Sequence, residues 1–141
     1  MADLVEFYKK AGKTIMDCQS IEHDIKLIYA GMLNGNFDKN LKKVQDRTLG
    51  YVLNELQSLD NSDNDPYFSE KDYDLLHEIK NIRNWLVHKS YTDFMYNKGM
   101  SLEQSFTQSY NKLYNFSNQI SNLADQVEKI RLDVLERFGR L

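Results

Sequence analysis

The sequence predicts an all-α protein, and three observations carry that prediction. Apolar residues recur every three or four positions along most of the chain, which is the period of an amphipathic helix. Breakers are scarce: one proline, Pro66, and six glycines in 141 residues leave long stretches able to stay helical. Where the period fails, the chain turns to Asn, Asp, Ser and Gly, the residues of caps and turns. The length suits one domain with one core. The expected architecture over residues 1–141 is therefore a four-to-five-helix up-down bundle with a long C-terminal helix.

The first helix is expected from about Asp3 to Leu33. Its stripe comprises Leu4, Phe7, Tyr8, Ala11, Ile15, Cys18, Ile21, Ile25, Ile28 and Met32, and Gly31, Gly35 and the run Asn34-Gly35-Asn36 should end it. A second helix carries Leu41, Val44, Thr48, Val52, Leu56 and Leu59, with a start anywhere from Asp38 to Thr48. Asp60-Asn61-Ser62-Asp63-Asn64-Asp65-Pro66 then reads as a turn or mobile loop. Ser69, with Asp72 three residues on, is the expected N-cap of a third helix reaching to about Tyr96. Asn97-Lys98-Gly99 breaks the chain, and Ser101 with Gln104 forms a capping-box signature for the last helix.

That last helix has the most regular pattern. Phe106, Leu113, Ile120, Val127 and Val134 are spaced by sevens, and Leu102, Ser109, Phe116, Leu123 and Ile130 fill a second register. Such a seam packs against neighbouring helices at a shallow angle. A helix of nearly forty residues spans roughly 55 Å, more than a compact bundle of this size requires. Two readings stand for its end, Arg131 to Leu141: a frayed core helix, or a segment that projects or crosses onto a second subunit.

Composition excludes several classes of function. Eighteen Lys and Arg against twenty-one Asp and Glu give a net charge of −3, which speaks against broad, non-specific nucleic-acid binding. Any RNA contact must be local. A single cysteine excludes an internal disulfide framework and suits a reducing, cytoplasmic compartment. Cys18 lies on the apolar stripe of the first helix and reads as a buried, inert thiol. Met1-Ala2-Asp3-Leu4 lacks the basic region and apolar run of a signal peptide, and no apolar run is long enough to span a membrane. His23, His77 and His88 show no metal-ligand spacing, and no glycine-rich phosphate loop occurs, so neither a metal nor a cofactor is expected. Lys9-Lys10 and Lys42-Lys43 read as solvated surface.

Arg83-Asn84-Trp85-Leu86-Val87-His88 is the most informative stretch. With five Arg and three His in the chain, R-x4-H arises by chance roughly 0.1 times, and requiring Asn after the Arg lowers that to about 0.01. On a wheel advancing about 100° per residue from Arg83, Leu75, Leu76, Ile79, Ile82 and Leu86 fill the core arc. Lys80, Asn81, Asn84, His77, His88 and Tyr91 share the polar arc, Arg83 stands on the border, and Trp85 falls beyond it. Two His, one Lys, one Arg, two Asn and one Tyr thus converge with no acid among them. This is a local anion-binding strip, although most polar helix faces meet only water. Trp85 and Tyr91 would be unusual decoration for a merely solvated face.

The segment Arg83-Asn84-Trp85-Leu86-Val87-His88 resembles the R-N-x-x-x-H signature of the HEPN superfamily. Ile79-Lys80-Asn81-Ile82 and Thr48-Leu49-Gly50-Tyr51 also resemble sequences common there. The likeness covers about ten residues tightly and the helical layout loosely. It implies a metal-independent ribonuclease of the toxin–antitoxin or antiviral kind, a homodimer with two motifs facing across a cleft, and Arg83, Asn84 and His88 as its catalytic set. One toxin subset, paired with nucleotidyltransferase antitoxins, has a tyrosine two places after the histidine. Here Tyr91 stands three places after, and the resemblance does not extend to that pairing.

The chemistry stands without the name. RNA is cut without metal when its own 2′-OH attacks the adjacent phosphate. Histidine titrates near neutrality and suits His88 to general acid–base work. The guanidinium of Arg83 can brace phosphate oxygens in a bidentate fork. Asn84, one turn before His88, can orient the imidazole or hold the phosphate. One histidine does not easily move both protons, which favours a symmetric dimer. Lys80, His77 and Tyr91 are expected substrate contacts. Glu22 is read either as a group positioning the arginine or as solvent-exposed. The expected function is a metal-independent endoribonuclease acting on RNA, as a toxin or antiviral effector, with an antitoxin or regulatory protein as a further partner. The competing reading is a non-catalytic HEPN-like module that binds a nucleotide or a protein in the same cleft. Fold alone does not choose between them.

Overall fold

The computed structural model describes residues 4–141. Asp3, expected to open the first helix, and the Met1–Asp3 stretch lie outside the described residues. Among the described residues the chain is all-helical, with α1 (Leu4–Met32), α2 (Phe37–Gln45), α3 (Leu49–Asn61), α4 (Glu70–His88), α5 (Ser90–Met95) and α6 (Leu102–Arg137). None of these helices is long and apolar enough to cross a membrane.

Six helices replace the four to five expected because two elements break. The second expected helix divides at Thr48, which stands in extended backbone (φ −67°, ψ 152°) and accepts the Tyr51 N–H on its hydroxyl at 3.2 Å. Thr48 is thus the N-cap of α3 and no part of an apolar stripe. The third divides at Lys89 (φ −127°, ψ −23°), where α4 stops and the short α5 begins. The expected caps are present elsewhere. Ser69 and Asp72 bond reciprocally, each side chain accepting the other's backbone N–H at 3.1 and 3.0 Å. Ser101 Oγ accepts the Gln104 N–H at 3.2 Å. Asn36, read as part of a terminator, also opens α2 by accepting the Lys39 N–H at 3.0 Å.

The chain forms two compact units, and α1, α4 and α6 each give a segment to both. One unit joins Met1–Gln19 with Ile79–Asn122. Its centre is an aromatic triangle: Phe94 meets Phe7 and Phe106 edge-on at 5.2 and 5.0 Å, and Phe7 lies 5.7 Å from Phe106. Ile79, Ile82, Leu86 and Leu113 are buried in the same unit, and Cys18 is fully buried. Trp85 is buried as well, at 7% exposure, with its ring edge-on to Phe116 at 5.9 Å. The wheel position that suggested an exposed indole is overruled by packing against α6. Tyr8, placed on the first apolar stripe, is exposed.

The other unit joins Ser20–Glu78 with Leu123–Leu141. Ile21, Ile25, Ile28, Val52, Leu56, Leu76, Val127 and Val134 make its core. α1 ends at Met32, within the expected cluster. At Gly31, its penultimate residue, a Cβ would meet Leu135 at 3.1 Å and Val134 at 3.4 Å, so the residue also permits a close approach of α6. The orphan carbonyls beyond it are bound from outside the helix. Asn40 donates to Ala30, Leu33 and Asn34, and the Arg140 guanidinium donates to Gly31, Leu33 and Gly35. Arg131 adds an ion pair to Asp24 at 3.0 Å. The end of α6 therefore packs onto its own chain rather than projecting from it.

Candidate functional site

Helix α4 amphipathicity places the motif. Leu76, Ile79, Ile82 and Leu86 are buried, and Asn81, Asn84 and His88 return every three or four residues on the exposed side. Asn81, Asn84, Trp85, His88 and Lys89 line one open depression of about 500 Å³. Two amides, an imidazole and an ammonium thus face a common space that contains no carboxylate in its wall. Arg83, the first residue of the motif, is half-buried beside Asn84 on the same helix, as its border position on the wheel implied, and is not among the residues lining the depression.

The helix break gives this depression its shape. The Lys89 N–H still bonds the Trp85 carbonyl at 2.9 Å, and the Ser90 hydroxyl donates to the Leu86 carbonyl at 2.7 Å. The Asp93 N–H then reaches the Lys89 carbonyl at 2.8 Å, and the Trp85 indole N–H donates to Asp93 Oδ2 at 2.8 Å. The turn from α4 to α5 is therefore pinned on both sides. Lys112 completes the setting, its ammonium 4.3 Å from the Trp85 ring centre.

The other expected contacts distribute as follows. Tyr91 is exposed at 41% and packs edge-on against Phe94 and Tyr96. It belongs to α5, so the uniform helical step that put it beside His88 does not apply across Lys89. Lys80 is exposed on α4 and takes no part in the wall of the depression. His77 belongs to the unit of Ser20–Glu78 and pairs with Gln57 at 3.2 Å. Glu22 lies in that unit too, 4.0 Å from Lys26 one turn along α1. Lys89 and Trp85 are wall residues that sequence reasoning did not assign. The R-N-x-x-x-H spacing stops one short of Lys89, and a wheel reports angle but not depth. Among the described residues no three His, Cys, Asp or Glu side chains gather as a metal-ligand set.

Comparison of the chain with protein-family models, with curated proteins and with solved structures gives no match.

Proposed function

We propose that the chain is a HEPN-like, metal-independent endoribonuclease that cuts RNA by attack of the 2′-OH, serving as a toxin or antiviral effector in the cytoplasm. The observation that carries the proposal is the shared depression of Asn84 and His88, with Asn81 and Lys89 beside them and no acid in the wall. Such a wall attracts a phosphodiester and repels little of it.

In the proposed reaction His88 takes the proton of the 2′-OH, and the oxygen bonds to phosphorus. The bond from phosphorus to the 5′-oxygen breaks, and that oxygen leaves with a proton from a second acid. The products are a 2′,3′-cyclic phosphate and a 5′-hydroxyl. Asn84 orients the imidazole or the phosphate, Arg83 braces the phosphate oxygens, and Lys89 adds charge. A second copy of the chain, docked about a two-fold axis, supplies the acid through its own histidine. Val87, 55% exposed next to His88, and Tyr91 and Tyr96 offer the apolar part of that contact.

The test is cleavage of single-stranded RNA by the purified protein in excess EDTA. The expected result is persistent cleavage, cyclic phosphate ends, sparing of a substrate with one 2′-deoxy sugar at the cut, and loss of about 10²–10⁴ in rate for His88→Ala. His88 is exposed in the last turn of α4, so the variant should stay folded. Undiminished cleavage by His88→Ala, or activity that needs an added divalent ion, overturns the proposal. Tight nucleotide binding without cleavage would point instead to a binding module.

A further inference from the structure

A second depression, of about 250 Å³, adjoins the first through Trp85, which lines both. Its wall also includes Asp93 from α5 and Ser105, Gln108, Ser109 and Lys112 from α6. Two features set it apart from ordinary polar surface. Ser105 is 2% exposed, and its Oγ is a buried polar atom with no hydrogen-bond partner, an arrangement that native proteins avoid unless something else satisfies the group. Asp93 is held at a fixed position by the Trp85 indole, which occupies Oδ2. A carboxylate offers about four lone-pair sites, so most of its acceptor capacity remains.

We propose that this depression is a guanine subsite for the nucleotide flanking the scissile phosphate; the choice of a base as its occupant rests on the RNA-cutting function proposed above. A phosphate is disfavoured there, because Asp93 would repel it. The bases differ in their donor and acceptor edges. Guanine alone places two adjacent donors, N1–H and N2–H2, where one carboxylate can accept both, and it carries the acceptors O6 and N7 that lysine side chains bind. Asp93 and Lys112 supply that pair of partners, with the Gln108 amide and the Ser105 hydroxyl as further polar groups. Adenine and cytosine each present one donor beside an acceptor that the carboxylate would oppose. Uracil presents one donor between two acceptors. Trp85, shared by both walls, sets the base subsite next to the space in front of Asn84 and His88.

Trp85 is the single tryptophan of the chain, so its fluorescence and its indole N–H resonance report on the two depressions it lines, and a difference among the four bases at equal phosphate singles out the second. The experiment titrates the full chain with 5′-GMP, 5′-AMP, 5′-CMP and 5′-UMP and follows both signals. The expected result is GMP binding about tenfold or more tighter than the other three, with a shift of the indole resonance, and loss of that preference in Asp93→Asn. Gln108→Ala, a change at an exposed position of α6, should weaken GMP by a smaller factor and serves if Asp93→Asn unfolds. Equal affinity for all four nucleotides, or no response of the indole, overturns the subsite. The two proposals fail separately. RNA cleavage with no indole response to GMP removes the subsite and leaves the nuclease, whereas GMP preference without RNA cleavage removes the nuclease and leaves a guanine-binding depression in a binding module.

Discussion

Asp60→Ala should be among the most damaging single changes in this chain, although the residue sits in what reads as an acid-rich surface turn. Asp60 is 1% exposed. Its carboxylate accepts three hydrogen bonds, from the Tyr67 N–H at 2.8 Å, the Phe68 N–H at 3.1 Å and the Tyr73 hydroxyl at 2.7 Å. Phe68 and Tyr73 are themselves buried. Removing the acceptor orphans two buried donors at about 1–3 kcal/mol each, while the partly exposed Tyr67 N–H finds water. The sum is about 2–6 kcal/mol, a large part of the roughly 5–15 kcal/mol that holds a domain together. With a urea slope of about 1–3 kcal/mol per molar, the midpoint should fall by about 2 M. Asn64→Ala, four residues on in the turn after α3 and exposed, should change stability by no more than about 0.5 kcal/mol. Tyr73→Phe removes one donor, so the double variant with Asp60→Ala should cost less than the two single costs added. Equal urea midpoints for Asp60→Ala and Asn64→Ala would refute the reasoning.

Two further outcomes are expected. Burial pulls the Asp72 carboxyl up, but the Ser69 N–H, the Gln126 amide, the Ser69 hydroxyl and the Lys71 charge together outweigh it and hold the group below its ordinary value. Its contribution is thus present above the unfolded carboxylate range and lost as pH falls through the folded value. The urea midpoints of wild type and Asp72→Asn should differ at pH 6 and draw together as the pH falls through the folded value; a gap that stays constant argues against this account. The proposed dimer should sediment at roughly twice the 16.7 kDa chain mass, and Val87→Glu at the exposed face of α4 should both split it and silence cleavage. A monomeric protein that still cuts RNA removes the two-histidine site.

What the sequence made legible is what depends on period and on local side-chain chemistry. The sevenfold repeat from Phe106 to Val134 is buried at every step, because that pattern selects one helix face whatever it packs against. Ser69 and Ser101 capped as expected, since a cap needs only its own next three residues. Tertiary choices were hidden. Asp60 looks like its neighbours Asp63 and Asp65 in sequence and differs only in facing Tyr73. Gly31 looks only like a terminator, and its second role as a point of close packing is invisible in the sequence. Trp85 falls outside the core arc of the wheel and is buried by partners on other helices, Asp93, Lys112 and Phe116. Of the motif, Asn84 and His88 were placed correctly on one exposed face, while Tyr91 was carried onto it by a helix that ends at His88.

That early end matters for the chemistry proposed. Had α4 run on straight to Tyr96, Trp85 and Asp93 would stand about 12 Å apart along the axis and the indole would have lost its pinned acceptor. Instead the backbone turns at Lys89, and four hydrogen bonds across residues 85–93 hold the turn. Asn84 and His88 therefore sit on the last full turn of a rigid element, and their wall continues directly into Lys89. A site that stabilises a charged transition state benefits from groups fixed before the substrate arrives, because little reorganisation is then left to oppose the reaction. The Trp85–Asp93 bond links both depressions to this one turn. A change that loosens it should disturb base preference and phosphodiester cleavage together, whereas a change at Gln108, on α6, should touch the first alone.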